Sequence, residues 1–186
     1  MKRFFDLTLG FCITWLLLIP ILLIAFLIYI TSKHSVLYWS DRVGKDGLIF
    51  KMPKFRTMIP ETPEVATALL VDPEKYFMPF GCFLRTTSLD ELPQIFSILK
   101  GDMSFVGPRP ALFNQYDLIA LRKEYNVDKL ITGLTGWAQI NGRDSLLLHE
   151  KVAFDVEYYH RQSMLFDFEI LWKTLLKVFR RTGVSH

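Results

Sequence analysis

Cysteine and histidine are scarce in this chain of 186 residues, and its charge has no strong bias. The two cysteines are Cys12 and Cys82. Because Cys12 lies within a long apolar segment, we expect no disulfide between them and a reducing compartment. The four histidines are scattered, and no Cys/His spacing is typical of a zinc site. A net charge of only +3 does not indicate nucleic acid as a partner. The glycine-rich strand-turn-helix of a Rossmann-type fold is also missing near the start.

Hydrophobic and aromatic side chains are abundant, although the share of charge is ordinary. Hydrophobic residues make up 51% of the chain, with 16 phenylalanines, while charged residues make up 22%, close to the globular average. The length suits one domain with a single core. The mixture indicates a polar domain joined to an apolar segment or surface, and a mildly basic, aromatic-rich chain suits an anionic lipid surface.

The apolar segment is the run from Leu7 to Ile30, which contains no charged residue. It exceeds the roughly 20 residues needed to cross a bilayer, so an ordinary membrane-spanning anchor is one interpretation. Two features favour another. Pro20, near the middle, cannot donate to the carbonyl of Leu16, and basic residues flank both ends, so the positive-inside rule selects no orientation. We predict a re-entrant helix-break-helix over residues 1–33 with both ends cytoplasmic.

The remainder, residues 34–186, is predicted to form a cytoplasmic, membrane-associated catalytic domain. Val36–Trp39 and Leu48–Met52 have strand character, and the intervening Gly44–Gly47 has turn chemistry, so a small β-hairpin is expected. Pro60–Pro79 is broken by prolines and predicts a loop with one helical turn. The fold class that follows is α+β and rich in helix.

An acidic pair lies in the segment Ser88–Glu91, whose S-x-x-E pattern predicts a capping box. The helix that it opens is expected to run to about Leu99 and to stop at Gly101. Acidic residues in a first turn stabilise the helix dipole and need have no further role. The neighbouring segments 83–87, 100–110 and 133–143 favour a functional role for the acidic pair. Each combines Gly, Pro or Thr with a single arginine, and rigid loops bearing such donors suit phosphate groups.

The C-terminal part predicts two helices, Leu146–Arg161 and Phe166–Arg180. The second carries an apolar face at helical spacing with basic residues beside it. That face either packs into the core or lies at a membrane interface, and the pattern leaves both open. Its members are Phe168, Leu171, Trp172, Leu175 and Phe179.

Several longer motifs occur in a recognisable order over nearly the whole chain. They are KFRTM (54–58), LRTTSLDELPQ (84–94), LKGDMSFVGPRP (99–110), TGWAQINGR (135–143) and DVEYY (155–159). In these motifs the sequence resembles the monotopic phosphoglycosyl transferases, a bacterial sugar transferase family, and its length resembles the minimal members. It departs from the family pattern at Ile19, where a serine usually precedes the membrane proline, and at Thr132, where Pro-Gly is common.

The resemblance implies an enzyme in which Asp90 is the nucleophile. It would attack the β-phosphate of a UDP-sugar, release UMP and pass the phosphosugar to undecaprenyl phosphate. The family uses Mg²⁺, for which Glu91 is the expected ligand. The implied location is the cytoplasmic face of the bacterial inner membrane, with the lipid bilayer as a further partner.

Basic residues within the motifs are candidates for substrate binding. Arg85 and Arg143 are predicted to bind phosphate, and Arg109 to bind the nucleotide. Lys54 and Arg56 are further candidates. Forked arginine donors match phosphate oxygens, and cations offset the repulsion between a carboxylate and a phosphate.

Two other functional classes are kept open. A catalytically silent membrane scaffold could retain this fold, although the intact Asp-Glu pair counts against it. A soluble-type sugar nucleotide enzyme, a hydrolase or a glycosyltransferase, would differ in its products, since a glycosyltransferase releases UDP. The sequence names neither the sugar nor the polyprenol length, the glycan pathway or the oligomeric state.

Overall fold

The computed structural model describes residues 1–32, 34–63, 70, 72–142 and 146–180. Within them the chain adopts the predicted helix-rich α+β fold. The α-helices are α1 (Lys2–Thr31), α2 (Gly81–Thr86), α3 (Ile95–Lys100), α4 (Tyr116–Glu124), α5 (Trp137–Asn141), α6 (Leu148–Arg161) and α7 (Met164–Arg180). The strands are β1 (Leu37–Val43), β2 (Ile49–Phe55), β3 (Ser104–Val106), β4 (Ala111–Leu112) and β5 (Gly133–Thr135). Short 3-10 helices cover Lys45–Gly47, Pro73–Tyr76, Leu89–Gln94 and Val127–Lys129.

Among the described residues, α1 is the one helix long and apolar enough to cross a membrane. It continues through Pro20, so the helix is not interrupted at the predicted break. Its 30 residues correspond to a length of about 45 Å. Most of its large apolar side chains are exposed, including Trp15 and Ile19 at 79% and 70%. The helix therefore has a hydrophobic surface that the rest of the protein does not cover.

Polar contacts fasten the first turns of α1 to the rest of the domain. The guanidinium of Arg3 donates to the carbonyls of Ile98 and Leu99, at 2.5 and 2.6 Å. Asp6, which is buried, accepts from the Ser104 hydroxyl at 3.0 Å and from the Phe105 N–H at 3.1 Å. The bonds to Asp6 give a buried carboxylate its partners, and those from Arg3 add donors to carbonyls at the C-terminal end of α3.

The far end of α1 is held by apolar packing instead. Ile28 is buried together with Phe55, Met78 and Leu84. Further side chains of α1 pack against the same cluster, namely Ile21, Ile24 and Ala25. Both halves of α1 thus contact one and the same domain.

The predicted β-hairpin is present and longer than expected. β1 and β2 pair antiparallel from Leu37↔Phe55 to Val43↔Ile49. The turn contains Asp46 and Gly47 with φ of 56° and 75°, which the left-handed region allows most easily for such residues. β4 pairs antiparallel with β1, and β3 pairs parallel with β5 in a second small sheet. In the predicted loop 60–79, the one described helical turn is Pro73–Tyr76; residues 64–69 and 71 lie outside the described part.

The helix predicted from Ser88 to Leu99 differs from expectation. Ser88 has a left-handed backbone with φ of 57° and its side chain does not cap, so the predicted capping box is wrong. A 3-10 helix, Leu89–Gln94, comes first and contains Pro93, and α3 follows directly. The proline lacks the N–H that a regular α-helix would require at that point. The predicted stop is confirmed, since Gly101 ends α3 with φ of 105°.

The C-terminal helices close the main core. Phe166 and Ile170 of α7 are buried against Ile98, Met103 and other core side chains. On the predicted apolar face, Leu171 packs against this core, whereas Phe168, Trp172 and Leu175 are 50%, 63% and 51% exposed. Core packing is therefore confirmed for Leu171, and a membrane interface for the exposed side chains stays a prediction. The exposed face adjoins α1, because the rings of Phe5 and Phe168 meet edge to face at 5.1 Å.

Candidate active site

The acidic pair, Asp90 and Glu91, lies in the first turn of the 3-10 helix Leu89–Gln94. Leu89 and Leu92 of the same helix pack against the apolar cluster that includes the far end of α1. This packing turns the carboxylates the other way, toward β2, which lies against the helix. Asp90 is only 6% exposed. The acidic pair is therefore fixed on a short rigid element that touches the exposed apolar helix.

Two cations from distant elements bond one oxygen of Glu91. Lys54 Nζ, from β2, lies 2.8 Å from Glu91 Oε1, and Arg109 Nη2 lies 2.7 Å from the same atom. Lys54 Nζ is also 3.8 Å from Asp90 Oδ2. All of these side chains are mostly buried, which strengthens their electrostatic interactions. The structure thus brings together four of the predicted site residues.

The two adjacent carboxyls have opposite pKa shifts. Burial raises the pKa of Asp90, which the charges of Lys54 and Glu91 modify in opposite directions. Burial also opposes ionisation of Glu91, but Arg109 and Lys54 outweigh it and hold the pKa of Glu91 well below its usual range. Burial lowers the pKa of Lys54, against the pull of both carboxylates. Neighbouring carboxyl groups whose pKa values are shifted in opposite directions are typical of sites where the two groups have different roles.

A cavity of about 890 Å³ opens onto the acidic pair. Arg85 lines it, with its guanidinium carbon 5.8 Å from the centre of the Phe77 ring and Nη1 2.9 Å from the Met58 sulfur. Among the described lining residues, eight basic side chains face four acidic ones. Such an excess of positive charge attracts anionic ligands, phosphate groups included.

The remaining predicted site residues are less closely associated with the acidic pair. Arg56 lines the cavity but donates to the Ser35 carbonyl and hydroxyl, at 2.9 and 2.8 Å. Its guanidinium carbon lies 5.7 Å from the centre of the Tyr38 ring. Arg143 lies outside the described residues. The roles assigned to these side chains stay predictions.

Two arginines that line the cavity, Arg42 and Arg122, were missed by the sequence analysis. Arg42 of β1 lines the cavity and donates through Nε to the Ser40 hydroxyl at 2.9 Å. Burial and the nearby charge of Arg109 lower the pKa of Arg42 to about 10, so it remains a cation at neutral pH. Arg122 of α4 is buried and paired with Asp155 of α6 at 2.6 Å. One signal could have revealed Arg122. It lies four residues after the apolar Leu118, so helical spacing places it on the same, buried face of α4.

The metal-binding capacity of the site is limited to its carboxylates. In the described part of the chain, no group of three or more His, Cys, Asp or Glu side chains could hold an ion. Mg²⁺ is commonly bound by one or two carboxylates together with substrate phosphates, so Asp90 and Glu91 fit such an ion. A metal at Glu91 would share that carboxylate with Lys54 and Arg109.

Comparison with known proteins gives consistent matches over nearly the whole chain. A family model described as bacterial sugar transferase matches residues 1–181. A UDP-glucose:undecaprenyl-phosphate glucose-1-phosphate transferase of Escherichia coli is 41% identical over 189 residues, which is 96% of this chain and 40% of that protein. An undecaprenyl-phosphate galactose phosphotransferase of Salmonella typhimurium is 36% identical, with 98% and 41% covered.

A third relative is similar in length to this chain. It is EpsL of Bacillus subtilis, named as an uncharacterized sugar transferase, which is 35% identical over 100% of this chain and 90% of its own length. The chain spans only about two fifths of the length of the relatives from Escherichia coli and Salmonella typhimurium. The similarity to those larger proteins is therefore confined to one part of them.

Proposed function

Because the chain belongs to the bacterial sugar transferase family, we propose that it transfers a sugar 1-phosphate from a UDP-sugar to undecaprenyl phosphate and releases UMP. The observation that carries the proposal is the buried Asp90 at the wall of a cation-rich cavity, next to a Glu91 held ionised by Lys54 and Arg109. The names of two relatives, which specify undecaprenyl phosphate and a sugar phosphate, support the substrate class.

In the first step, a carboxylate oxygen of Asp90 attacks the β-phosphorus of the UDP-sugar. A bond forms between that oxygen and phosphorus, and the bond from phosphorus to the bridging oxygen of the α-phosphate breaks. UMP leaves with the electron pair of that bond, and an aspartyl phosphosugar remains. Carboxylate nucleophiles that form acyl phosphates have precedent in other phosphoryl transfer enzymes.

In the second step, a phosphate oxygen of the polyprenol carrier attacks the phosphorus of the aspartyl phosphosugar. The bond to Asp90 breaks, which restores its carboxylate, and a polyprenol diphosphate sugar forms. One sugar diphosphate linkage is lost and another is made, so the overall reaction needs little external driving force. The same carboxylate is ready for the next UDP-sugar.

The cations around the acidic pair reduce the repulsion between Asp90 and the incoming phosphates. Lys54 Nζ lies 3.8 Å from Asp90 Oδ2, and Arg85 and Arg109 also act electrostatically on Asp90. Arginine forks and lysine charges serve this purpose in phosphoryl transfer. Mg²⁺, with Glu91 as a ligand, is part of the proposal and would neutralise phosphate oxygens when bound.

Although α1 is not interrupted at Pro20, its attachment at both ends supports a topology in which both ends lie at the cytoplasmic face of the inner membrane. Arg3 and Asp6 bond the domain near the start of α1, and Ile28 packs against it near the end. A spanning helix would move one of these ends across roughly 30 Å of hydrocarbon. Keeping both contacts requires both ends on one side, where a UDP-sugar and a membrane-bound carrier can meet.

The test is the identity of the released nucleotide. Purified protein in nanodiscs receives Mg²⁺, a panel of UDP-sugars and, in a parallel series, undecaprenyl phosphate. Without the carrier we expect a burst of about one UMP per enzyme, because the covalent intermediate accumulates. Asp90→Asn should abolish the burst. Release of UDP would refute the mechanism. Absence of any nucleotide product with every donor would favour the alternative, a catalytically silent scaffold.

A further inference from the structure

The segment Pro108-Arg109-Pro110 is held by its carbonyl groups. Its two prolines have no N–H to donate, so amide hydrogen bonds cannot fix them. Each of the three carbonyls instead accepts a bond from another part of the chain. Pro108 accepts from the Gly133 N–H at 2.9 Å, Arg109 from Arg122 Nη1 at 2.8 Å, and Pro110 from Arg42 Nη1 at 3.2 Å.

Arg122 is itself oriented by Asp155. Its Nε and Nη2 donate to Asp155 Oδ2, at 3.0 and 2.6 Å, and both side chains are buried, with 7% and 1% of the residue exposed. An arginine fork bonded to a carboxylate in this way has little rotational freedom. The remaining nitrogen, Nη1, is thereby aimed at the Arg109 carbonyl.

We propose that Arg122, oriented by Asp155, is a positioning residue that sets Arg109 at Glu91. The proposal rests on the proposed function, in which the ionised Glu91 supports attack by Asp90. Each of the three nitrogens of Arg122 donates to a protein oxygen, so the protein itself sets the orientation of this side chain at the cavity wall. Its influence passes through the backbone of Arg109, whose side chain reaches Glu91 Oε1 at 2.7 Å.

The test uses Arg122→Lys, because lysine can keep the ion pair with Asp155 but lacks the second arm that reaches the Arg109 carbonyl. UMP release is measured for Arg122→Lys, Arg109→Ala and the double variant, over hours so that a residual rate stays measurable. We expect Arg122→Lys to lose about tenfold or more in kcat. The double variant should be within about twofold of Arg109→Ala alone, since residues acting through one another are not additive. Losses that multiply, or an unaffected Arg122→Lys, would overturn the proposal.

A second measurement needs no substrate. Thermal unfolding midpoints are compared for Glu91→Gln, Arg109→Ala and their combination, in the parent and in the Arg122→Lys background. In the parent, the midpoint shifts of Glu91→Gln and Arg109→Ala should not sum to the shift of their combination, because the two side chains interact. We expect this difference to be smaller in the Arg122→Lys background. Persistence of the full non-additivity would overturn the proposal.

A control variant separates positioning from general weakening of the fold. Arg161→Lys alters an ion pair with Glu157 on α6, the helix that carries Asp155, and Arg161 does not line the cavity. It should leave UMP release unchanged. If the parent protein releases no UMP at all, the proposed function has failed, and the unfolding comparison still decides the role of Arg122.

Discussion

Lys2 Nζ and Asp167 Oδ2 lie 2.5 Å apart and join the first turn of α1 to the first turn of α7. Asp167 is buried and also accepts from the Tyr158 hydroxyl at 2.7 Å. The ion pair connects the two helices that carry the exposed apolar surface of the protein. It therefore fixes the position of the start of α1 against α7.

Lys2→Ala should destabilise the protein because Asp167 would be left buried without its cation. We expect a loss of about 3 kcal/mol in the free energy of unfolding, measured in detergent by denaturant titration. The matched control is Lys173→Ala on α7, whose partner Glu169 is exposed, and which should cost less than about 1 kcal/mol. Equal losses for the two variants would contradict the assigned importance of the Lys2 pair.

The neutral variants Asp90→Asn and Glu91→Gln should change stability in opposite directions. The folded-state pKa of Asp90 is raised, so at neutral pH its ionised form opposes folding, and Asp90→Asn should raise the unfolding midpoint. The pKa of Glu91 is lowered, so its ionised form stabilises the fold above the normal carboxyl pKa. Glu91→Gln removes that charge and leaves Lys54 and Arg109 without their anionic partner, which should lower the free energy of unfolding by about 3 kcal/mol.

The measurement is thermal unfolding of both variants beside the parent, first at neutral pH and then toward acid. The stabilising effect of Asp90→Asn should disappear as the pH falls through the raised pKa of Asp90, because the parent then becomes neutral there too. The parent should lose the contribution of Glu91 only at lower pH, as that carboxylate becomes protonated. A midpoint lowered by both variants at neutral pH would contradict the assignment.

Lys54→Gln should move the acid limb of the pH–rate profile to higher pH. The attack needs the Asp90 carboxylate, and the charge of Lys54 is the largest influence that lowers the pKa of Asp90. Without that charge the carboxylate forms only at higher pH. UMP release is measured between about pH 5 and 9. Lys51→Gln, on the same strand but highly exposed beside Asp41, should leave the limb where it is.

The topology of α1 can be tested by cysteine labelling. The parent for this experiment carries Cys12→Ser and Cys82→Ser, both exposed positions. One cysteine is then added ahead of Met1 or introduced as His34→Cys. A re-entrant helix predicts that a membrane-impermeant maleimide labels both positions in inverted vesicles and neither in spheroplasts. Labelling of one position from each side would establish a spanning helix.

Local patterns were sufficient for several elements of the fold. Turn chemistry in Gly44–Gly47 predicted the hairpin, and helical spacing predicted α6 and α7 within a few residues, because neighbouring residues set these preferences. The 3-10 helix at Asp90 was not predicted. Its S-x-x-E pattern matches a capping box, but the left-handed Ser88 and the following Pro93 produce a tighter turn.

The amino-acid sequence alone determined the acidic pair, the apolar helix and the candidate cations, because each can be recognised from residues that are close together in the chain. Only the tertiary structure decided which cations meet Glu91 and which stay apart. Lys54 and Arg109 reach that carboxylate from separate strands and loops, while Arg56 turns to Ser35. The pairing of Arg122 with Asp155 likewise joins two helices. Such contacts depend on how elements that are distant in sequence pack together, and local sequence patterns do not predict that packing.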